Sequence, residues 1–190
     1  MNELATPSLL TTQDFLAMPE EDQVEYELIR GELRQHPMTR RNFSHGRTTT
    51  NIAAILKSWL ENQPGAKGLV LTGEAGFCLR HDPDTTVGID VAYISAELAA
   101  QTPRTARLVD GIPVLAVEIL SPSDKHEDVS EKVEEYLAAG VFLVWIVDPV
   151  FATISVYRPD ALPQLFNRNQ EVSGEPHLPG LKIPVSKIFE

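Results

Sequence analysis

The sequence predicts one α/β domain, a mixed central sheet flanked by helices, within its 190 residues. Three observations carry that reading. Residues 141–147 are continuously apolar over the length of a strand, and residues 113–120 nearly so, as in strands covered on both faces. Residues 44–64 and 124–139 instead space their apolar side chains at helical intervals. The order along the middle of the chain is helix, strands, strand, helix, strand, and the 43% apolar content supplies one full core.

Each element has its own signal. Thr12 caps a short helix that Pro19 stops, predicting a peripheral N-terminal arm. Residues 24–30 alternate and meet residues 31–36, giving a hairpin that turns at Arg30 and Gly31. From Ser44 as N-cap, Ile52, Ile55, Leu56, Trp59 and Leu60 mark the first long helix, ended by Pro64 and Gly65. Strand material follows at 68–72 and 75–79, then a polar turn at 81–86, a strand at 89–94, a short helix at 95–100 and a loop at 104–111. The strand at 113–120 comes next. In the helix over 124–139, Val129, Val133, Tyr136 and Leu137 form the inward stripe, Glu131, Glu134 and Glu135 point outward, and Gly140 is the C-cap. Residues 153–157 pair with the apolar run 141–147 after a turn at Asp148 and Pro149. Beyond residue 158, five prolines predict a tail that is mostly loop, with short strands and a last turn near Ser186. The core is expected at about 12–158 and the tail at 159–190 of a single domain.

Composition narrows the function. The N-terminus lacks a basic segment followed by an apolar run, and no stretch reaches the roughly 18 apolar residues of a membrane span, so a cytoplasmic protein is expected. The lone Cys78 excludes an internal disulfide and a multi-cysteine zinc site and reads as a small core residue. A net charge of −11 argues against nonspecific coating of nucleic acid. The charge is uneven, however. Arg30, Arg34, Arg40, Arg41 and Arg47, with His36 and His45 nearby, face only Glu32, so this stretch is either a phosphate-contacting surface or a solvated hairpin. From Glu118 to Glu135 seven acids stand against Lys125 and Lys132.

Glu118 is the most informative residue. An unpaired carboxylate in so apolar a strand costs several kcal/mol unless a cation or hydrogen-bond donors compensate it. Donors from the turn at Ser121, Pro122 and Ser123 are one solution. The other is a metal: the preceding strand offers Asp90 among apolar residues, and two such acids with a backbone carbonyl suit Mg²⁺ or Mn²⁺. A metal there activates water for phosphodiester hydrolysis. Lys132 falls about 40° from Tyr136 on a helical wheel, at the border of the buried face. It either snorkels or reaches back to the carboxylates to orient water or stabilise developing charge. Asp128, Lys132 and Tyr136 share one ridge. Glu74 after Gly73 is a further possible ligand or a turn acid, Glu27 alternates with Tyr26 and Leu28 without an assigned role, and His45 meets phosphate at a helix start or serves the cap. Ser121 and Ser123 have no evident base, so a serine nucleophile is not expected.

These residues resemble a known family. Residues 26–32, His45, residues 89–94, residues 117–123 with Asp128, Lys132 and Tyr136, residues 139–141 and residues 145–149 together are similar to the Uma2 family of endonucleases, in the PD-(D/E)xK restriction-endonuclease-like superfamily. The resemblance spans roughly residues 12–158, and its specific part runs from Glu118-Ile-Leu-Ser-Pro-Ser to Trp145-Ile-Val-Asp-Pro. It implies a restriction-endonuclease-like αβββαβ core extended by an N-terminal helix and hairpin, with Asp90 and Glu118 as metal ligands. Two departures stand out. Ile89, not proline, precedes Asp90, while a literal Pro83-Asp84 lies upstream in a polar turn. Leu120 occupies the place of the superfamily lysine, and Lys132 is the candidate substitute.

The expectation is therefore a Mg²⁺- or Mn²⁺-dependent DNA endonuclease, a homodimer without organic cofactor or membrane attachment. Its metal is held by Asp90, Glu118, the Ile119 carbonyl and, as a possible addition, Glu74; Lys132 assists catalysis. Arg40, Arg41, His45 and Arg47 are the nucleic-acid contacts. A nuclease fold that only binds or regulates, and a hydrolase of small phosphate esters, are the competing readings.

Overall fold

The computed structural model describes residues 9–19, 24–37, 42–122 and 124–190. Arg40, Arg41 and Ser123 lie outside the described residues. The elements run α1 (Thr12–Ala17), β1 (Val24–Ile29), β2 (Glu32–Pro37), α2 (Phe43–Glu61), β3 (Leu69–Arg80), β4 (Thr85–Ile94), α3 (Ala96–Gln101) and β5 (Val109–Asp110). They continue with β6 (Leu115–Ile119), α4 (His126–Ala139), β7 (Leu143–Asp148), β8 (Thr153–Tyr157), β9 (Gln164–Asn167), β10 (Glu171–Ser173), β11 (Lys182–Pro184) and α5 (Val185–Ile188).

Local signals set most boundaries. The β1–β2 hairpin turns on Arg30 and Gly31, both at positive φ, as a two-residue loop requires for its twist to match the strands. Gly140, at φ 101°, closes α4. Two caps lie one or two residues before their expected places: Thr11, not Thr12, forms a capping box with Asp14, and Asn42, not Ser44, accepts from the His45 N–H at the start of α2. The two strand segments expected at 68–79 are one strand, β3, irregular at Gly73 and Glu74, where its register against β4 slips.

The principal sheet is mixed, in the order β2-β1-β4-β6-β7-β8-β9, with β3 pairing β4 and β5 pairing β3. β6 and β7 are parallel and joined through α4, whereas β3–β4 and β4–β6 are antiparallel. α2, β3, β4, β6, α4 and β7 thus form the αβββαβ core. Side-chain alternation splits the core in two. Val91, Leu115, Val117, Leu143 and Trp145 pack with Ile52 and Leu56 of α2, and Ala92, Ala116, Val144 and Ile146 pack with Val133 and Tyr136 of α4.

Two sequence expectations need correction. The proline-rich segment after residue 158 has the short strands and last turn expected of it, but the core does not stop short of it: Val172, Leu178, Leu181, Ile183, Val185 and Ile188 are buried on the α2 side, and Trp59 Nε1 donates to the Pro179 carbonyl. Prolines interrupt its periodicity without removing its apolar side chains. Glu135, expected to point outward, is buried. Its carboxylate pairs with Arg30 at 2.5 Å and Arg80 at 3.2 Å, tying α4 to the β1–β2 turn and the end of β3. Glu135→Ala is expected to cost about 2 kcal/mol of stability in urea unfolding, chiefly through the part-buried Arg80, since the exposed Arg30 contributes little.

Candidate active site

The sheet forks where the site lies. β4 pairs with β1 at Leu28 and Thr86 and with β6 only from Val91 to Tyr93; between these points, among the described residues, Val87–Ile89 pair with β3 alone. The fork opens a cleft of about 320 Å³ lined by Glu27, Glu74, Asp90, Glu118, Ile119 and Lys132 among others. Gly88 of β4 lies against the lining residue Glu74. A Cβ there would lie 2.9 Å from Glu74 Oε2, so the absence of a side chain lets Glu74 lie across the strand.

Asp90 and Glu118 continue the antiparallel register that pairs Val91 with Val117, which places them opposite each other on the α4 side of the sheet. Asp90 is buried and multiply held. Its Oδ2 accepts the Ile119 N–H at 2.8 Å, a bond that takes the place of a ladder contact where β6 parts from β4, and His45 Nε2 lies 3.1 Å from Oδ1. Glu118 accepts the Tyr136 hydroxyl at 2.5 Å and the Lys132 ammonium at 3.3 Å. Lys132 Nζ also lies 2.9 Å from Glu27 Oε1 and donates to the Gly88 carbonyl at 3.4 Å, so its charge fills the fork itself. His36 Nε2 is 3.9 Å from the other Glu27 oxygen.

Electrostatics follow from this crowding. Burial pushes the Glu118 carboxyl up from 4.5 to about 7; Lys132 opposes the shift, Asp90 and Glu27 add to it, and the Tyr136 hydrogen bond moderates it. Burial disfavours the Lys132 ammonium, but Glu118, Tyr136 and Glu27 outweigh that effect and hold its pKa well above the ordinary lysine value. Lys132 is therefore a fixed positive charge rather than a base. Between about pH 4.5 and 7 folded Glu118 keeps a proton that the unfolded chain has released, so the metal-free protein loses stability as pH rises through that window. The loss is on the order of 3 kcal/mol at most. Glu118→Gln is expected to flatten this slope in melts run with EDTA, and an unchanged slope would place its origin elsewhere.

Placement of the other candidates is mixed. Glu74 and Ile119 line the cleft. His45, read as a phosphate contact or a cap-side residue, does stand in the capped first turn of α2, but its ring is buried against Asp90 rather than open to phosphate. Arg47 donates to the Phe189 carbonyl at 2.8 Å and sits over the Phe43 ring, while Arg34 pairs with Glu32 and Glu131 at the cleft's edge. Within the described part of the basic stretch, the arginines are thus committed to neighbours in the chain. Glu27 and Tyr136, each noted without a defined role, are the closest partners of Lys132 and Glu118. The buried set of Glu27, Asp90 and Glu118 against Lys132 leaves an excess of oxygen donors and negative charge, a chemistry that fits a hard divalent cation.

Comparison with known proteins agrees with this architecture. Residues 12–186 match the model of the Uma2 family, described as "Putative restriction endonuclease". A crystal structure from Anabaena variabilis, described as a "putative nuclease belonging to DUF820", superposes with a TM-score of 0.77 at 21% identity, over 95% of this chain and 97% of that one. No curated protein matches the chain.

Proposed function

Because the chain belongs to the Uma2 family, we propose that it is a Mg²⁺- or Mn²⁺-dependent endonuclease that hydrolyses phosphodiester bonds in DNA. The observation that carries this reading is the contact of Lys132 with Glu118, opposite Asp90, in one cleft. The family resemblance supplies two acids but leaves Leu120 where a lysine is usual, and the Lys132 ammonium, arriving from α4, would supply the missing charge. Asp90 and Glu118, with the Ile119 carbonyl, would hold the cation, and Glu74, which lines the same cleft, would add a carboxylate. When bound, the cation lowers the pKa of water and offsets charge on the phosphoryl oxygens.

The chain's own groups do the rest. Tyr136 fixes the rotamer of Glu118 from one oxygen while Lys132 holds the other. His45 and the Ile119 N–H hold Asp90 in the same way. Lys132, protonated and anchored on Glu27, presents positive charge where the phosphoryl group gains negative charge, and it pays little reorganisation because both partners already hold it. A homodimer, with one site per subunit, would allow cleavage of both strands.

The test combines binding with activity. Calorimetric titration with Mn²⁺ is expected to show binding that Asp90→Asn and Glu118→Gln weaken, and supercoiled plasmid is expected to be nicked with Mn²⁺ and not with EDTA. Binding without nicking of any DNA form would favour a noncatalytic module, and cleavage of small phosphate esters alone would move the substrate away from DNA.

A further inference from the structure

Outside the cleft, the hairpin between β3 and β4 gathers side chains that the proposed nuclease chemistry does not use. Cys78 is buried near the end of β3, and His81 and Asp84 stand on the turn. Their ligand atoms all lie within 4.8 Å of one another. Cys78 Sγ is 3.8 Å from His81 Nδ1 and 3.7 Å from its Nε2, and Nδ1 is 3.8 Å from Asp84 Oδ2. Tetrahedral zinc, with bonds of about 2.0 to 2.3 Å, separates sulfur from nitrogen and nitrogen from oxygen by about 3.4 to 3.6 Å, so the two gaps at Nδ1 are only a few tenths of an ångström too wide.

A second observation points the same way. His81 Nε2 lies 2.8 Å from Asp110 Oδ1, a carboxylate on β5 outside the cluster. A proton on Nε2 is then the one Asp110 accepts, which leaves the ring's lone pair on Nδ1. Metal-ligating histidines are oriented by such a carboxylate on their other nitrogen. The other ligands are supported as well: Thr12 Oγ1 lies 3.3 Å from Cys78 Sγ, and the Thr12 N–H donates to Asp84 Oδ2 at 2.6 Å.

We propose that Cys78 Sγ, His81 Nδ1 and Asp84 Oδ2 bind one Zn²⁺, with Asp110 as the positioning carboxylate and water completing the tetrahedron. A thiolate, a carboxylate and a neutral imidazole carry two negative charges, which the dication balances, and the thiol proton leaves to solvent on binding. Sulfur selects zinc over magnesium, the reverse of the all-oxygen preference expected in the cleft. Since Thr12 opens α1 and touches both Cys78 and Asp84, the ion fastens the N-terminal arm to the hairpin. His81 is exposed and provides the way in.

Cobalt makes the site visible. Cys78 is the chain's only cysteine, so thiolate-to-cobalt charge transfer in the near ultraviolet reports this site alone. The full chain, stripped with EDTA and titrated with Co²⁺, is expected to develop that band with one equivalent, and Zn²⁺ but not equimolar Mg²⁺ should bleach it. Cys78→Ser removes the band, Asp110→Ala weakens Co²⁺ binding about tenfold, and Asp90→Asn leaves it unchanged. His81→Ala, at an exposed position, tests the ligand set without disturbing the core. Absence of the band in the parent protein, or undiminished affinity in His81→Ala, overturns the proposal.

Discussion

Glu118→Ala is expected to abolish Mn²⁺-dependent plasmid nicking, a fall of about 10³-fold or more, because it removes the carboxylate that crowding by Asp90 and Glu27 equips to take a cation. Asp90 requires a gentler substitution. Its Oδ2 satisfies the buried Ile119 N–H, so alanine there would combine loss of a ligand with an unpaired donor costing about 1 to 3 kcal/mol. Asp90→Asn keeps an acceptor oxygen and removes the charge. It is expected to lose nicking while retaining the parental circular dichroism and melting behaviour. Parental nicking rates in both Glu118→Ala and Asp90→Asn would remove these residues from the chemistry.

Lys132→Ala should have the next largest effect, on two measurements at once. Glu27 and Glu118, both largely buried, would lose their shared cation, and breaking such a pair from one side costs about 3 kcal/mol. Urea unfolding without metal should show that loss. Activity should fall about 10²-fold, as for removal of one preorganised charge-stabilising group. Saturating Mn²⁺ separates the two effects: a divalent cation compensates the carboxylates that lost the ammonium and restores stability, whereas turnover stays low because no ammonium faces the phosphoryl group. Full turnover in Lys132→Ala would reduce the residue to a snorkelling lysine.

Much of the site was legible one residue at a time. Glu118 and Asp90 stood out because a carboxylate inside an apolar strand demands compensation, and Lys132 because a helical wheel puts it at the edge of a buried face. What compensates them was legible only in part, as one of two readings of Lys132. His45 reads locally as a cap residue, and only the docking of α2 brings its imidazole 3.1 Å from Asp90. Glu135 reads as solvated beside Glu134, and only the fold brings the turn with Arg30 and the end of β3 with Arg80 against it. Cys78 reads as a small core residue, yet the hairpin sets His81 and Asp84 beside it. The prolines after residue 158 concealed more than a third of the α2-side core, since burial there follows no helical or strand period.

The sequence by itself determined the α/β class, the order of the core elements and the identity of the two strand acids, because these rest on periodicity and on the cost of burying charge, both local properties. Only the tertiary structure decided which charges meet. The meeting point is the fork at which β4 leaves β1 and joins β6, and it exists because one strand pairs with two partners distant in sequence. No spacing along the chain encodes that junction, so the partnership of Lys132 with Glu27 and Glu118 belongs to the fold.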